Sequence, residues 1–192
     1  MATEDNRVQT TITTQAELDF INKAKAGDKT AFAALIQSHY EGIVHIIYRL
    51  CGDGSLAEDA AQETFIRAWQ ALPTYQPRAP FKNWLYRIAV NSARDMLRRE
   101  RPNVDIEAVP LSSSDPRPEA EIIERERDRF VQKAVLTLPP ASQSVLVLRE
   151  YGGFSYREIA NTLNIPIGTV MSRLSYARNR LRELLAPYME IK

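Results

Sequence analysis

The chain reads as an all-α protein built from two small helical units and a linker, and three observations point there. Apolar residues recur at three- and four-residue steps through residues 15–101 and again from residue 119 onward. Between those stretches, residues 102–118 carry Pro102, Pro110, Pro116 and Pro118 with three consecutive serines and no periodicity. Near the C-terminal end, a capping motif followed by a left-handed turn signal and a proline marks a tight pair of helices.

Residues 1–14 are polar and threonine-rich, with too little apolar surface to offset the entropy of ordering, and are expected to form a loose tail. Leu18 and Ile21 open a short helix that Gly27 can end, and Asp28 is placed to cap the next. Phe32, Leu35, Ile36, Ile43, Ile47 and Leu50 then hold helical spacing as far as Cys51. Gly52, Asp53 and Gly54 make a turn, and Ser55, with Glu58 three residues on, is the expected cap of a third helix. That helix has Ala57, Ala61, Phe65, Ala68, Trp69 and Leu72 as its apolar stripe, which turns Asp59, Gln62, Glu63 and Ile66 elsewhere. Pro73, Pro77 and Pro80 stiffen a loop. A fourth helix begins near Phe81, with Phe81, Trp84, Leu85, Ile88, Ala89 and Met96 inward. Residues 15–101 are thus expected to be one domain, followed by a linker over 102–118.

Fully extended, a linker of roughly 17 residues reaches about 55–60 Å. That exceeds the roughly 34 Å of one duplex turn. The second domain, 119–192, resumes the helical period with Ile122, Ile123, Phe130, Val131, Ala134, Val135 and Leu138, closed by Pro139 and Pro140. Residues 145–148 are β-branched enough to suggest a strand, but Ser142, Val145, Leu146, Arg149 and Glu150 fit a short amphipathic helix that Gly152 and Gly153 end. Ser155 and Glu158 form a capping box, and Tyr156, Ile159, Ala160 and Leu163 share one stripe of the helix it starts. Asn164 can take the left-handed conformation that ends this helix, and Pro166 suits the first turn of the next. In that last helix Ile167, Val170, Leu174, Ala177, Leu181 and Leu184 define a buried face, and Thr169, Ser172, Arg173, Tyr176 and Arg180 point outward.

Charge is balanced overall, with 25 Lys plus Arg against 24 Asp plus Glu, but its placement is uneven. Residues 76–101 hold seven bases against two acids, and residues 164–182 hold four arginines and no acid. Residues 103–128 hold eight acids against three arginines, and residues 53–63 are acidic without a base. An outward face of hydroxyls and arginines on the second helix of a capped pair suits base edges and phosphates. A merely solvated helix would mix the two signs.

Cys51 is the only cysteine, so no disulfide within the chain is possible. No apolar run approaches a membrane span, and residues 1–14 lack the apolar core of a signal peptide, so the expected place is the cytoplasm without membrane insertion. His39 and His45 lie six apart, on different sides of a helix, and no Cys, Asp or Glu set has metal-ligand spacing. Neither a glycine-rich phosphate loop nor an activated nucleophile pattern is present. No enzyme, cofactor or metal is expected.

Residues 165–174 (Ile-Pro-Ile-Gly-Thr-Val-Met-Ser-Arg-Leu), preceded by Phe-Ser-Tyr-Arg-Glu-Ile-Ala at 154–160, resemble the promoter-recognition helix-turn-helix of extracytoplasmic-function (ECF) sigma factors, a branch of the sigma-70 family. Asp-Ala-Ala-Gln-Glu-Thr-Phe at 59–65 resembles that family's core-polymerase-binding helix, and Trp-Leu-Tyr-Arg-Ile-Ala-Val-Asn at 84–91 its promoter-opening helix. The blocks occur in family order, and the resemblance covers roughly residues 16–185. It implies a sigma region 2 domain at 15–101 and a sigma region 4 domain at 119–192. Core RNA polymerase, through its β′ and β subunits, would meet Asp59, Gln62, Glu63 and Phe65. The minus-ten strand would meet Tyr75, Lys82, Arg87, Asn91, Arg94 and Arg98, with Tyr75 and Asn91 holding a flipped base. The minus-thirty-five duplex would meet Ser155, Tyr156, Thr169, Met171, Ser172, Arg173, Tyr176 and Arg178. The resemblance also implies an anti-sigma factor as partner. Met171 stands where many relatives carry Arg or Lys, so no particular upstream sequence follows. The rival reading, a regulator that binds duplex DNA without polymerase, leaves the blocks at 59–65 and 84–91 without a use.

Overall fold

The computed structural model describes residues 15–77, 79–100 and 119–189, and every regular element among them is helical. The first group of helices is α1 (Gln15–Lys25), α2 (Lys29–Gln37), α3 (Tyr40–Cys51), α4 (Gly54–Ala71) and α5 (Phe81–Glu100), with a 3₁₀ turn at Leu72–Thr74. The second is α6 (Glu119–Leu136), α7 (Pro140–Glu150), α8 (Tyr156–Leu163) and α9 (Ile167–Met189). The expected tail and the expected linker at 102–118 lie outside the described residues.

Local chemistry sets most boundaries. Asp28 caps α2 by accepting the N–H groups of Thr30 and Ala31. The unbroken spacing expected from Phe32 to Leu50 is in fact two helices. Ser38 ends the first as its hydroxyl donates to the Leu35 carbonyl, and His39 opens the second without a side-chain cap. Gly52, at φ 79°, supplies the left-handed residue that terminates α3. The cap of α4 is Asp53, not Ser55: the Asp53 carboxylate accepts the Leu56 N–H at 2.9 Å, and Ser55 donates its hydroxyl to the same carboxylate at 2.7 Å. These two bonds hold the Asp53 carboxyl below its ordinary range, the Leu56 N–H contributing most.

In the first group, α3 buries Ile43, Ile46, Ile47 and Leu50 beside α4, whose inner face is Ala57, Ala60, Ala61, Thr64 and Ala68. Small side chains there let α4 approach α3 and α5 closely. The one hydroxyl among them, Thr64, donates to the Ala60 carbonyl and so costs little to bury. Arg67 of α4 bridges Glu63 at 2.7 Å and Asp95 of α5 at 2.9 Å.

In the second group α7 departs from its expected amphipathic form, because every residue from Ser142 to Leu148 is buried. It is a helix buried nearly all round, Ser142, Gln143 and Ser144 included, packed by α9, α8 and α3, and that setting outweighs the strand preference of its valines. The capping box at Ser155 and Glu158 forms as expected, with Asn164 left-handed at φ 52°. Pro166 lies just before α9 rather than in its first turn, and its carbonyl accepts the Thr169 and Val170 N–H groups. Val170, Leu174 and Ala177 are buried, but Ile167 is 49% exposed because α9 starts beyond the reach of α8.

The two groups pack against each other in this structure. They share one continuous apolar cluster, with α3 against α6 and α7, and α5 against α8. Gln143 donates to the Leu50 carbonyl, and Gln132 to the carbonyls of Tyr48 and Arg49. The Tyr86 ring meets the Phe154 ring at 5.0 Å.

Replacing Asp53 with Ala removes a cap and should cost about 1 kcal/mol in urea unfolding, whereas Ser55→Ala should cost less than half of that. His39 and His45 are both held below the ordinary histidine value of 6.5, chiefly by burial. A depressed folded pKa means the native state binds fewer protons than the unfolded one. Their contribution is therefore complete above pH 6.5 and lost as pH falls below it. Thermal melts taken from pH 7.5 down to about 5 should show this decline, and His39→Gln should flatten part of it.

Candidate polymerase and nucleic-acid interfaces

On α4, Asp59 and Gln62 are exposed and Glu63 is half-buried, its carboxylate held by Arg67. Phe65 does not project as a free contact. Its ring stacks on Tyr40 at 5.7 Å, which makes it a support for the face rather than its edge. Ile66 is 54% exposed beside these acids, and Tyr40 is exposed as well. An acidic helix face carrying bare aliphatic and aromatic surface has the composition that partner-binding surfaces share. The periodicity turns Ile66 away from the core, but nothing in it foretells Tyr40.

On α5, Arg87 and Asn91 are exposed on successive turns and Arg98 two turns further on, where it pairs with Asp95 at 3.1 Å. Lys82 and Arg94 are engaged across the seam with the second group. Lys82 donates to the Gly152 carbonyl at 3.1 Å with its ammonium 4.5 Å from the Phe154 ring, and burial lowers its pKa. Arg94 donates to the Pro140 carbonyl at 3.1 Å and to the Ser144 hydroxyl at 2.8 Å.

Tyr75 is placed differently from the expectation that it stacks on a base. Only 3% of it is exposed, and its ring lies 5.7 Å from Phe81 and 5.1 Å from Trp84. Its hydroxyl donates to the Ala79 carbonyl, and Lys25 donates to its own carbonyl. Burial, with Glu17 nearby, pushes the phenol up to about 12. Tyr75 thus pins the loop between α4 and α5 from inside, because an aromatic in a proline-bounded loop beside Phe81 and Trp84 finds an apolar site closer than solvent. Trp84 belongs to the same cluster, as its spacing suggests.

On the helix-turn-helix, Met171, Ser172 and Tyr176 are exposed at the start of α9, with Thr169 and Arg173 half-exposed among them. Ser155, grouped with the DNA contacts by resemblance, has its hydroxyl engaged in the capping box, where it bonds Glu158. Tyr156 is half-buried, with the Arg149 guanidinium 5.3 Å from its ring. Arg178 grips Glu150 through two nitrogens at 2.7 and 3.1 Å, so a phosphate would have to displace a carboxylate to use it. Among the described residues no cluster of His, Cys, Asp or Glu could hold a metal ion, and no helix is long and apolar enough to cross a membrane.

Two helical groups, one with an acidic docking face and a basic ladder, the other with a capped helix-turn-helix, define a two-domain transcription-factor architecture. Residues 35–102 match the family model of sigma-70 region 2, and residues 131–181 that of sigma-70 region 4. The chain is 37% identical over 170 residues to the ECF RNA polymerase sigma factor SigE of Mycolicibacterium smegmatis, covering 84% of this chain and 65% of that protein. It is 33% identical to the RNA polymerase sigma-H factor of Pseudomonas aeruginosa, covering 93% of this chain and 98% of that one. It is also 33% identical to SigW of Bacillus subtilis, covering 86% of this chain and 94% of the relative. Among solved structures, CnrH in complex with the cytosolic domain of CnrY superposes with a TM-score of 0.69 at 27% identity, over 90% of this chain and 98% of that one. The sigma factor RpoE of Bartonella quintana, in complex with the anti-sigma factor NepR, gives 0.64 at 26% identity, over 81% and 96%. The chain belongs to the ECF RNA polymerase sigma factors. It is accordingly a polymerase-binding, promoter-directing initiation factor, and a polymerase-independent regulator is not favoured, since both region models match.

Tyr75→Phe removes one bond to a loop carbonyl and keeps the ring, so it should cost about 1 kcal/mol in stability. If it instead abolished minus-ten binding at unchanged stability, a direct base contact would be restored to this residue.

Proposed function

We propose that the two regions divide the work of initiation, with region 2 docking on polymerase and capturing the melted minus-ten strand while region 4 reads the minus-thirty-five duplex. The β′ subunit meets Asp59, Gln62 and Glu63, with Ile66 and Tyr40 adding apolar area, and the β subunit completes the contact with core enzyme. Arg87 and Arg98 follow the strand backbone, and Asn91 offers its amide to an extruded base; Lys82 and Arg94 join them once released from their present partners. On α9, Arg173 reads a base edge, and Thr169, Ser172 and Tyr176 contact flanking groups, beside Met171. Ser155, Tyr156 and Arg178 serve the backbone there.

The observation that carries this reading is the exposed start of α9, set on a capped helix-turn-helix and free of acids from residue 164 to 182. Extruding a base costs a few kcal/mol, which a fixed site can repay without nucleotide hydrolysis. The factor therefore acts by binding alone, with no catalytic step, and works in the cytoplasm. An anti-sigma factor is its expected partner, since the similar sigma factor RpoE of Bartonella quintana forms a complex with the anti-sigma factor NepR.

Arg173→Ala should lose about 1–3 kcal/mol of promoter recognition while polymerase association is kept. Asp59→Lys with Glu63→Lys should do the reverse. Run-off transcription and pull-down with core enzyme measure the two separately, and equal loss of both functions in both variants would end the proposed division.

A further inference from the structure

The first two turns of α9 carry more bare apolar surface than a solvated helix requires. Ile167 is 49% exposed and Met171 54%. They lie one turn apart and share a face, with Gly168 and Ser172 directly beside them. Gly168 takes no left-handed conformation, and a Cβ on it would meet nothing within 4 Å, so neither backbone nor packing asks for glycine there. Glycine is disfavoured in a helix. At this place it leaves the outer surface of α9 low, as an open notch between Ile167 and Met171.

The later cations of α9 are already engaged. Arg178 is held by Glu150 at 2.7 Å, Arg180 by Glu183 at 2.9 Å, and Arg182 donates to Asn179 at 2.9 Å. The polar groups left at the start of the helix are Arg173 and the hydroxyls of Thr169, Ser172 and Tyr176. Met171 is also one wall of an open groove of about 270 Å³ whose other walls include Tyr156, Ser175 and Asn179, so it borders space that a base edge can enter. Residues 164–182 hold no acid, which keeps the whole face compatible with a polyanion. Of the groups that base pairs offer in the major groove, the C5 methyl of thymine is the apolar one.

We infer that Met171, flanked by Ile167 and the Gly168 notch, reads a thymine by packing against its C5 methyl, so that the upstream element carries a thymine at that contact. This rests on region 4 reading the minus-thirty-five duplex and adds which base group one residue recognises. A methionine suits the task, because its flexible, polarisable side chain settles against a small apolar group without a fixed geometry. The contact takes water from the methyl and from Met171 together and leaves no strong donor or acceptor unpaired. An arginine in its place would pair instead with the O6 and N7 of a guanine.

The test uses the full chain bound to core polymerase. Promoter duplexes are selected from a randomised pool, and each thymine of the selected site is then replaced in turn by deoxyuridine, which lacks only the methyl group. One such replacement should weaken binding about fourfold, as expected for one buried methyl. The loss should persist in Met171→Leu, which keeps an apolar contact, and disappear in Met171→Ala, which withdraws it. Met171→Arg should select guanine at the same position. A selected site in which no deoxyuridine is felt by the unaltered chain overturns the inference, and that measurement depends on no variant. A loss of equal size in Met171→Ala overturns it too, as does a Met171→Ala chain that no longer binds core polymerase, since the strip would then be a protein contact. Arg173→Ala judges the underlying reading separately. If it selects the same upstream sequence as the unaltered chain, region 4 does not read duplex there and the methyl contact falls with that reading. If it alters the selection while deoxyuridine is tolerated throughout, the reading stands and the methyl contact alone fails.

Discussion

The end of α3 is the point on which this structure depends. Ile43, Ile46, Ile47 and Leu50 bury the C-terminal part of α3, because α4 and α5 cover one side and α6 and α7 the other. A helix buried from two directions must still satisfy the carbonyls of its last turn. Gly52 turns the chain away and returns one N–H to the Tyr48 carbonyl, and glutamines more than 80 residues distant in sequence donate to the carbonyls of Tyr48, Arg49 and Leu50. Gly52 suits this turn because its φ of 79° is strained for most residues with a side chain, and a Cβ there would press on the tip of the Leu136 side chain. The end of α6 lies close against that turn.

From this junction the distribution of charge becomes intelligible. The core of the first group is lined with alanines, so its helices lie close and the polar residues of α4 and α5 are pushed to the rims. One rim collects Asp59, Gln62 and Glu63, with Arg67 tying Glu63 to Asp95 of α5. That bridge is exposed and worth little in stability. Its effect is positional, fixing the rotation of α4 relative to α5 and hence the angle between the acidic face and the basic ladder.

Much of the fold was legible because helix signals are local. The caps at Asp28 and Ser155, the left-handed Asn164 and the glycine after α3 are each written in two or three adjacent residues. The misreadings arise where the deciding contact is distant. Tyr75 looks like an exposed loop aromatic until Phe81 and Trp84 close over it, and α7 looks amphipathic until α3 covers its second side. The competition between Asp53 and Ser55 for one helix end is local too, but the two differ by a single position and the carboxylate, a stronger acceptor, wins. Seam contacts were the least legible of all, since a bond that ends on a carbonyl places no demand on the identity of the accepting residue.

That last point bears on how the basic side chains at the seam are satisfied. Lys82 and Arg94 need an acceptor, and a backbone carbonyl at either end of α7 serves as well as a phosphate oxygen in geometry though not in charge. A carbonyl carries a partial charge and a phosphate a full one, so nucleic acid is the stronger partner wherever it is present. In its absence the carbonyls spare these side chains the cost of burial without a partner. The acceptors are weak enough to be exchanged and numerous enough to matter together. A seam built from salt bridges between fixed acids and bases would have held tighter, but it would also have placed carboxylates on the surface that must later meet a polyanion. Main-chain acceptors avoid that conflict, because they carry no formal charge and place no carboxylate opposite the basic face.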